Sequence, residues 1–239
     1  MKAAILAGGK GMRLARSPDD RPKALADVGG KPLLWHVVEG FARFGLDDVT
    51  VALGHRGDEI GAWFDDAGAA RPKFLETGAE TQTGGRVKRL AEHFMGERFL
   101  LSWCDGISDI DLAAMIAFHR AHGKVATLAA VRPPPRYGHL TLDGDRVGEF
   151  REKPPREEGW INGGFFVLEP AIADWIDGDD ASFEEGALAD LAAAGQLMAF
   201  RHEGFWTSVD TPRDLSNLQR LWESGEWPLA KVHGTRCGA

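Results

Sequence analysis

The stretch Ala3-Ala4-Ile5-Leu6-Ala7-Gly8-Gly9-Lys10-Gly11-Met12-Arg13-Leu14, with Pro22-Lys23 close behind, decides how the chain is read. Ala3 to Ala7 form a short, uninterrupted apolar run that stops at glycines, the pattern of a buried strand. Gly8, Gly9 and Gly11 let the backbone turn sharply and approach a ligand with its N–H groups bared. Arg13 and Lys23 set two cations beside that loop, which suits a polyphosphate. Taken alone, the glycines fit a tight strand-to-loop turn with solvated basic residues equally well. Two other phosphate loops are excluded. A dinucleotide fingerprint from Gly9 would need glycine at Leu14, and neither Gly9-Lys10 nor Gly30-Lys31 completes a Walker A spacing.

Outward from this loop, strand and helix patterns alternate. Leu33, Leu34, Val37, Val38, Phe41 and Phe44 have helical spacing, with Gly45 placed to stop the helix. Val49 to Leu53 reads as a strand, and Asp58 as the cap of a helix carrying Ile60, Trp63 and Phe64. Lys73 to Leu75 restarts a strand, and a helix with Val87, Leu90 and Phe94 follows, entered through Thr83. Phe99 to Gly106, ending in an acid at a turn, and Ala126 to Val131 are further strands, separated by a helix from Leu112 to His122 capped by Asp111. Asp143-Gly144-Asp145 marks a hairpin. Thr211, Pro212 and Asp214 make a strong helix start. The alternation predicts an α/β fold, Rossmann-like, with a mixed and mostly parallel sheet covered by helices on both faces, plus a small hairpin lobe. Ligands bind such sheets at the carboxyl ends of the strands. One domain over 1–239 is expected, with its core at about 1–227 and a tail at 228–239.

The 239 residues carry a formal net charge of -8, which argues against a general nucleic-acid binder but not against a nucleotide, for which a local cluster of cations suffices. Cys104 and Cys237 supply neither a disulfide framework nor a zinc spacing, and no apolar run approaches membrane-spanning length. A cytoplasmic protein without membrane or nucleic-acid partners is expected. The aperiodic tail from Trp227 onward is either mobile or engaged with another subunit, and a homo-oligomer is the expected state.

Polar residues at strand ends are the remaining candidates. Asp105 stands at the end of the strand Phe99 to Gly106, where a carboxylate could hold magnesium beside phosphates. Asp210 sits at the junction before the Thr211 cap, as a turn residue or a ligand. Glu152-Lys153 alone reads as readily as a surface ion pair. Asn162 offers donors and an acceptor suited to sugar hydroxyls, and Gly163 and Gly164 permit close approach. Asp177 to Asp180 with Glu184 and Glu185 read as a solvated loop and helix entry. His119 and His122 share a helix face without a third ligand for a metal.

The opening string with Pro22-Lys23, the run Glu76-Thr77-Gly78 to Thr83-Gly84-Gly85-Arg86, the segment Trp103-Cys104-Asp105-Gly106, Glu152-Lys153-Pro154, Trp160 to Leu168 and Gly204-Phe205-Trp206 to Asp210-Thr211 occur in one order. Together they resemble the signatures of sugar-1-phosphate nucleotidylyltransferases, most nearly glucose-1-phosphate cytidylyltransferases. The resemblance implies an enzyme that condenses CTP with glucose 1-phosphate or a related sugar 1-phosphate, releasing pyrophosphate, with Mg2+ as cofactor. It implies nucleotide binding by Leu6, Ala7, Gly8, Gly9, Lys10, Gly11, Met12, Arg13, Lys23, Thr81, Arg86 and Cys104, with Arg13 and Lys23 catalytic. It implies magnesium on Asp105 and Asp210, and the sugar phosphate on Glu152, Lys153, Asn162 and Gly163. Three departures stand out: Met12 replaces a small polar residue, Cys104 replaces glycine, and the connection before Lys73 is short. Another sugar nucleotidylyltransferase using UTP, dTTP or GTP, or a non-catalytic nucleotide-sugar-binding homologue, remains an alternative reading.

Overall fold

The computed structural model describes residues 1–9, 21–67, 72–133, 138–152 and 159–231. In chain order its elements are β1 (Lys2–Leu6), β2 (Asp27–Val28), β3 (Lys31–Pro32), α1 (Leu33–Ala42), β4 (Val49–Leu53), α2 (Gly57–Ala67), β5 (Lys73–Glu76) and α3 (Thr83–His93). There follow β6 (Phe99–Trp103), β7 (Gly106–Ser108), α4 (Leu112–His122), β8 (Ala126–Val131), β9 (His139–Asp143), β10 (Arg146–Arg151) and β11 (Ile161–Leu168). The chain closes with α5 (Leu188–Ala193), β12 (Leu197–His202), β13 (Trp206–Ser208) and α6 (Pro212–Glu223).

Seven strands form the central sheet in the order β12-β8-β11-β6-β1-β4-β5. Only β11 runs antiparallel to its neighbours β6 and β8; the other pairings are parallel. Because successive side chains in a strand point to opposite faces, β1 feeds two cores at once. Ala3 and Ile5 join the cluster that includes Leu34 and Val37 of α1, Phe64 of α2, Met115 of α4 and Leu218 of α6. Ala4 and Leu6 join the opposite cluster, with Val87 and Leu90 of α3, Leu191 of α5 and Phe183 just before α5. Both faces of the sheet are thus covered, as the near-continuous apolar strands predict.

From β1 the chain proceeds outward through β4 and β5, then returns to add β6 on the other side of β1. This reversal makes the carboxyl ends of β1 and β6 the topological switch point, where a crevice opens in such sheets. The helix signals at Asp111 and Thr211 hold. Asp111 Oδ1 accepts from Ala114 N–H at 2.9 Å, and Thr211 and Asp214 complete a capping box. One cap assignment needs correction: Asp58 lies inside the first turn of α2. The helix α3 does start at Thr83, whose hydroxyl donates to Glu184. The hairpin β9–β10 forms a sheet of its own, turning at Gly144 with φ 58°. Trp227 and Leu229 are buried in the core, so packing continues past the expected start of the tail; residues 232–239 lie outside the described residues.

Candidate active site

Asp105 and Asp210 are brought together by a small antiparallel ribbon. In β7–β13, Gly106 faces Ser208 and Ser108 faces Trp206, so the residues just outside the ribbon meet as well. Val209 N–H donates to Asp105 O at 3.1 Å. Asp105 leaves the carboxyl end of β6, while the Thr211 capping box fixes the chain immediately after Asp210. The two acids therefore converge at the switch point.

Between them stands Lys23. Its Nζ lies 2.5 Å from Asp105 Oδ2 and 2.9 Å from Asp210 Oδ1. The lysine is carried on a 3-10 turn, Lys23–Leu25, anchored by the buried Ala24 and Leu25. Burial opposes its charge, but the Asp105 and Asp210 carboxylates outweigh that and hold the ammonium's pKa above its ordinary value. Ser208 Oγ lies 3.2 Å from the second oxygen of Asp210.

A cation set between two carboxylates tests whether the acids fit a divalent ion. The pair brackets a single positive centre with hard oxygen ligands, which suits magnesium; among the described residues no third His, Cys, Asp or Glu joins them. Magnesium is commonly held by one or two carboxylates with the rest of its shell from water and substrate phosphates, so the donor set fits.

Beside Asp105 opens a cleft of about 200 Å³ lined by Trp103, Asp105, Gly106, Asn162, Gly163, Gly164, Glu184, Trp206 and Ser208. Gly163 is needed for close packing, since a Cβ there would come 2.7 Å from Val131 Cγ1. Its carbonyl accepts from Trp206 Nε1 at 2.7 Å. Gly164 has φ 74° and lies under the Trp103 ring. Asn162 Oδ1 accepts from Gly164 N–H at 2.8 Å, closing the irregular step that lets β11 bend at the cleft.

The glycine loop is described only as far as Gly9; Lys10, Gly11, Met12 and Arg13 lie outside the described residues, as does Lys153. Leu6 and Ala7 are buried, and their backbones belong to the sheet: Leu6 O accepts from Cys104 N–H and Ala7 N–H donates to Ala52 O. Gly8 is close-packed for a reason the sequence does not reveal. A Cβ there would fall 2.2 Å from Arg86 Nη1.

Arg86, 4% exposed, sends Nη1 to Leu53 O at 3.0 Å and Thr77 Oγ1 at 2.5 Å, and Nη2 to Gly8 O at 3.0 Å. Its guanidinium joins α3 to the carboxyl ends of β1 and β4 beneath the loop. Thr81 lies against Gly78 and Gly85, where added Cβ atoms would meet it at 2.7 Å. Gly84 and Gly85 admit the backbone of Ala181 and Asp179, and Gly84 N–H donates to Ala181 O at 2.9 Å. Cys104 sits beside Asp105 with its thiol pushed up to about 12, by burial first and the neighbouring carboxylate second. Such a thiol stays protonated and is no nucleophile. Glu152 ends the described part of the hairpin, its carboxylate close to Gly138. His119 and His122 hydrogen-bond to Thr127.

Residues 2–224 match the family described as Nucleotidyl transferase. The chain belongs to the nucleotidyl transferase family. A glucose-1-phosphate cytidylyltransferase of Salmonella typhi is 41% identical over 252 aligned positions, covering 95% of this chain and 98% of that protein. That alignment is longer than the present chain, so this nucleotidyl transferase lacks segments its relative carries. Mannose-1-phosphate guanylyltransferase 1 of Arabidopsis thaliana is 31% identical over 93% of this chain and 64% of its own length. The crystal structure of HddC from Yersinia pseudotuberculosis superposes with a TM-score of 0.73 at 24% identity, over 92% of this chain and 99% of that one, a likeness of fold. Among the described residues no helix is long and apolar enough to cross a membrane.

Proposed function

We propose that this nucleotidyl transferase condenses CTP with glucose 1-phosphate, releasing pyrophosphate and forming CDP-glucose. Near-full-length similarity to a glucose-1-phosphate cytidylyltransferase supports the substrates. The observation that carries the mechanism is the meeting of Asp105 and Asp210 around one cationic centre, at the mouth of a cleft on the switch point of the sheet.

The reaction joins two anions. A sugar-phosphate oxygen must reach the α-phosphorus of the nucleotide while charge accumulates on the α-phosphoryl oxygens and pyrophosphate departs in line. No protein nucleophile is required, and the protonated Cys104 thiol offers none. Asp105 and Asp210 would hold a magnesium ion, which supplies electrostatic stabilisation of the phosphoryl oxygens when bound. Lys23, held charged by its surroundings, is placed to pass from the carboxylates to a phosphoryl oxygen and offset the same charge. Arg13 and Lys153 are assigned the leaving pyrophosphate and the attacking phosphate on their sequence positions. Asn162 and Gly163 bound the side of the cleft taken by the sugar.

Initial rates of pyrophosphate release with glucose 1-phosphate and each of CTP, UTP, dTTP and GTP test the proposal. CTP should exceed every competitor by about tenfold or more, since one correctly read amino group is worth a charge- or geometry-matched hydrogen bond. A preference for UTP would overturn the cytidine assignment. Retained turnover in excess chelator would overturn the metal.

A further inference from the structure

Glu184 is the acidic wall of the cleft that the mechanism above leaves unused. The acidic stretch Asp177 to Asp180 with Glu184 and Glu185 is exposed, as expected of a solvated loop and helix entry, and it also folds back onto the start of α3. Gln82 N–H donates to Asp179 O at 2.7 Å, and Phe183 N–H donates to Thr83 Oγ1 at 2.9 Å. Thr83 in turn donates its hydroxyl proton to Glu184 Oε2 at 2.7 Å, with Ser182 Oγ 3.4 Å from the same oxygen. One carboxylate oxygen is thereby fixed by protein donors, while the side chain lines the cleft with Trp103, Asn162 and Trp206. Glu184 also lies in a single π-turn, Phe183–Ala187, a local widening that recurs at functional sites.

We infer that Glu184 is a specificity-determining residue for the sugar, its remaining oxygen accepting hydrogen bonds from ring hydroxyls. The inference rests on the sugar 1-phosphate activity proposed above. An ionised carboxylate accepts and never donates, so it reads hydroxyl groups as donors. It also repels a phosphate. A sugar phosphate entering this cleft is therefore oriented with its phosphate toward Lys23 and its hydroxyls toward Glu184. The tie to Thr83 fixes that wall to the helix whose entry packs against Thr81, so the sugar side and the nucleotide loop share one support.

The test is steady-state kinetics of the full chain, as wild type, Glu184→Gln and Glu184→Ala, with glucose 1-phosphate and its 2-, 3-, 4- and 6-deoxy analogues. Glu184→Ala should raise the KM for glucose 1-phosphate about tenfold or more, with the KM for CTP within about twofold of wild type. For the one analogue lacking the contacted hydroxyl, wild type and Glu184→Ala should perform alike, because the bond is already gone. Glu184→Gln preserves shape and serves where the alanine variant does not fold. An unchanged KM for glucose 1-phosphate, or equal losses with every analogue, would overturn the inference. A wild type that releases no pyrophosphate from CTP and glucose 1-phosphate sinks the activity itself; an active wild type with a variant ratio near one sinks Glu184 alone.

Discussion

An ammonium placed between two carboxylates competes with any divalent ion for them, and Lys23 is in that position. Without it, Asp105 and Asp210 face each other with like charge in a partly buried setting, an arrangement that costs stability until a cation returns. Lys23→Met should therefore melt below wild type in chelator and recover with added magnesium by a larger shift than wild type shows. Thermal unfolding with and without magnesium measures this, and identical shifts in the two proteins would refute it. The same residues bear the chemistry. Losing one preorganised charge at a developing phosphoryl charge costs on the order of 2 to 4 kcal/mol in the barrier. Asp105→Asn and Lys23→Ala should each lower kcat about a hundredfold or more, read as pyrophosphate release at saturating substrate and metal.

At the scale of elements, Arg86 fastens α3 to the ends of β1 and β4, and two glycines, Gly8 and Gly54, exist to admit its guanidinium; a Cβ at Gly54 would lie 2.4 Å from Nη1. Truncation would leave the carbonyls of Leu53 and Gly8 and the Thr77 hydroxyl without this donor in a buried place. Arg86→Ala should cost about 2 to 4 kcal/mol, near 5 to 15 °C in Tm for a chain of this size. Arg86→Lys should recover little, since an ammonium cannot reach three acceptors with the geometry of a planar fork. A variant melting with wild type would show the fastening to be idle. The sequence could mark this arginine beside a glycine-rich helix entry, but burial and partners depend on chain segments up to 78 residues apart. The strands β7 and β13 escaped for a related reason. Three-residue strands carry almost no periodicity, and each is stable only through the other, so the ribbon that unites Asp105 and Asp210 has no local signature. The capping box at Thr211 is the opposite case, being written within four consecutive residues.

The whole molecule was legible where period and punctuation are local: the central sheet and its helical covering follow from apolar runs broken at glycine and proline. What escaped is set by which side chains tertiary packing buries together, including a polar network at the sheet end opposite Asp105. Lys124 N–H lies 2.9 Å from His122 Nδ1, so that nitrogen is an acceptor and His122 Nε2 carries the proton, which it gives to Thr127 Oγ1 at 2.7 Å. Thr127 is then free to donate to His119 Nδ1 at 2.8 Å, and His119 Nε2 faces Glu169 Oε1 at 3.2 Å. The chain of donors closes only with neutral His119, which is fully buried and has its pKa pushed down to about 4, burial being the chief cause. In the unfolded chain the same imidazole titrates near 6.5. Above that pH neither state takes the proton and the full contribution is present. As pH falls toward 4 only the unfolded chain binds it, so stability declines by roughly 3 kcal/mol; below 4 both states are protonated and the loss stops. His36 and His122, both lowered first by burial, act with the same sign. Asp48, held below 3.8 by Lys2 and Lys73, contributes stability lost only at lower pH still. Between pH 7 and 4.5 the Tm of wild type should therefore fall further than that of His119→Gln, by about 5 °C or more. Parallel curves would mean that His119 accepts a proton in the folded protein, and that the donor chain from Lys124 to Glu169 can reverse without cost.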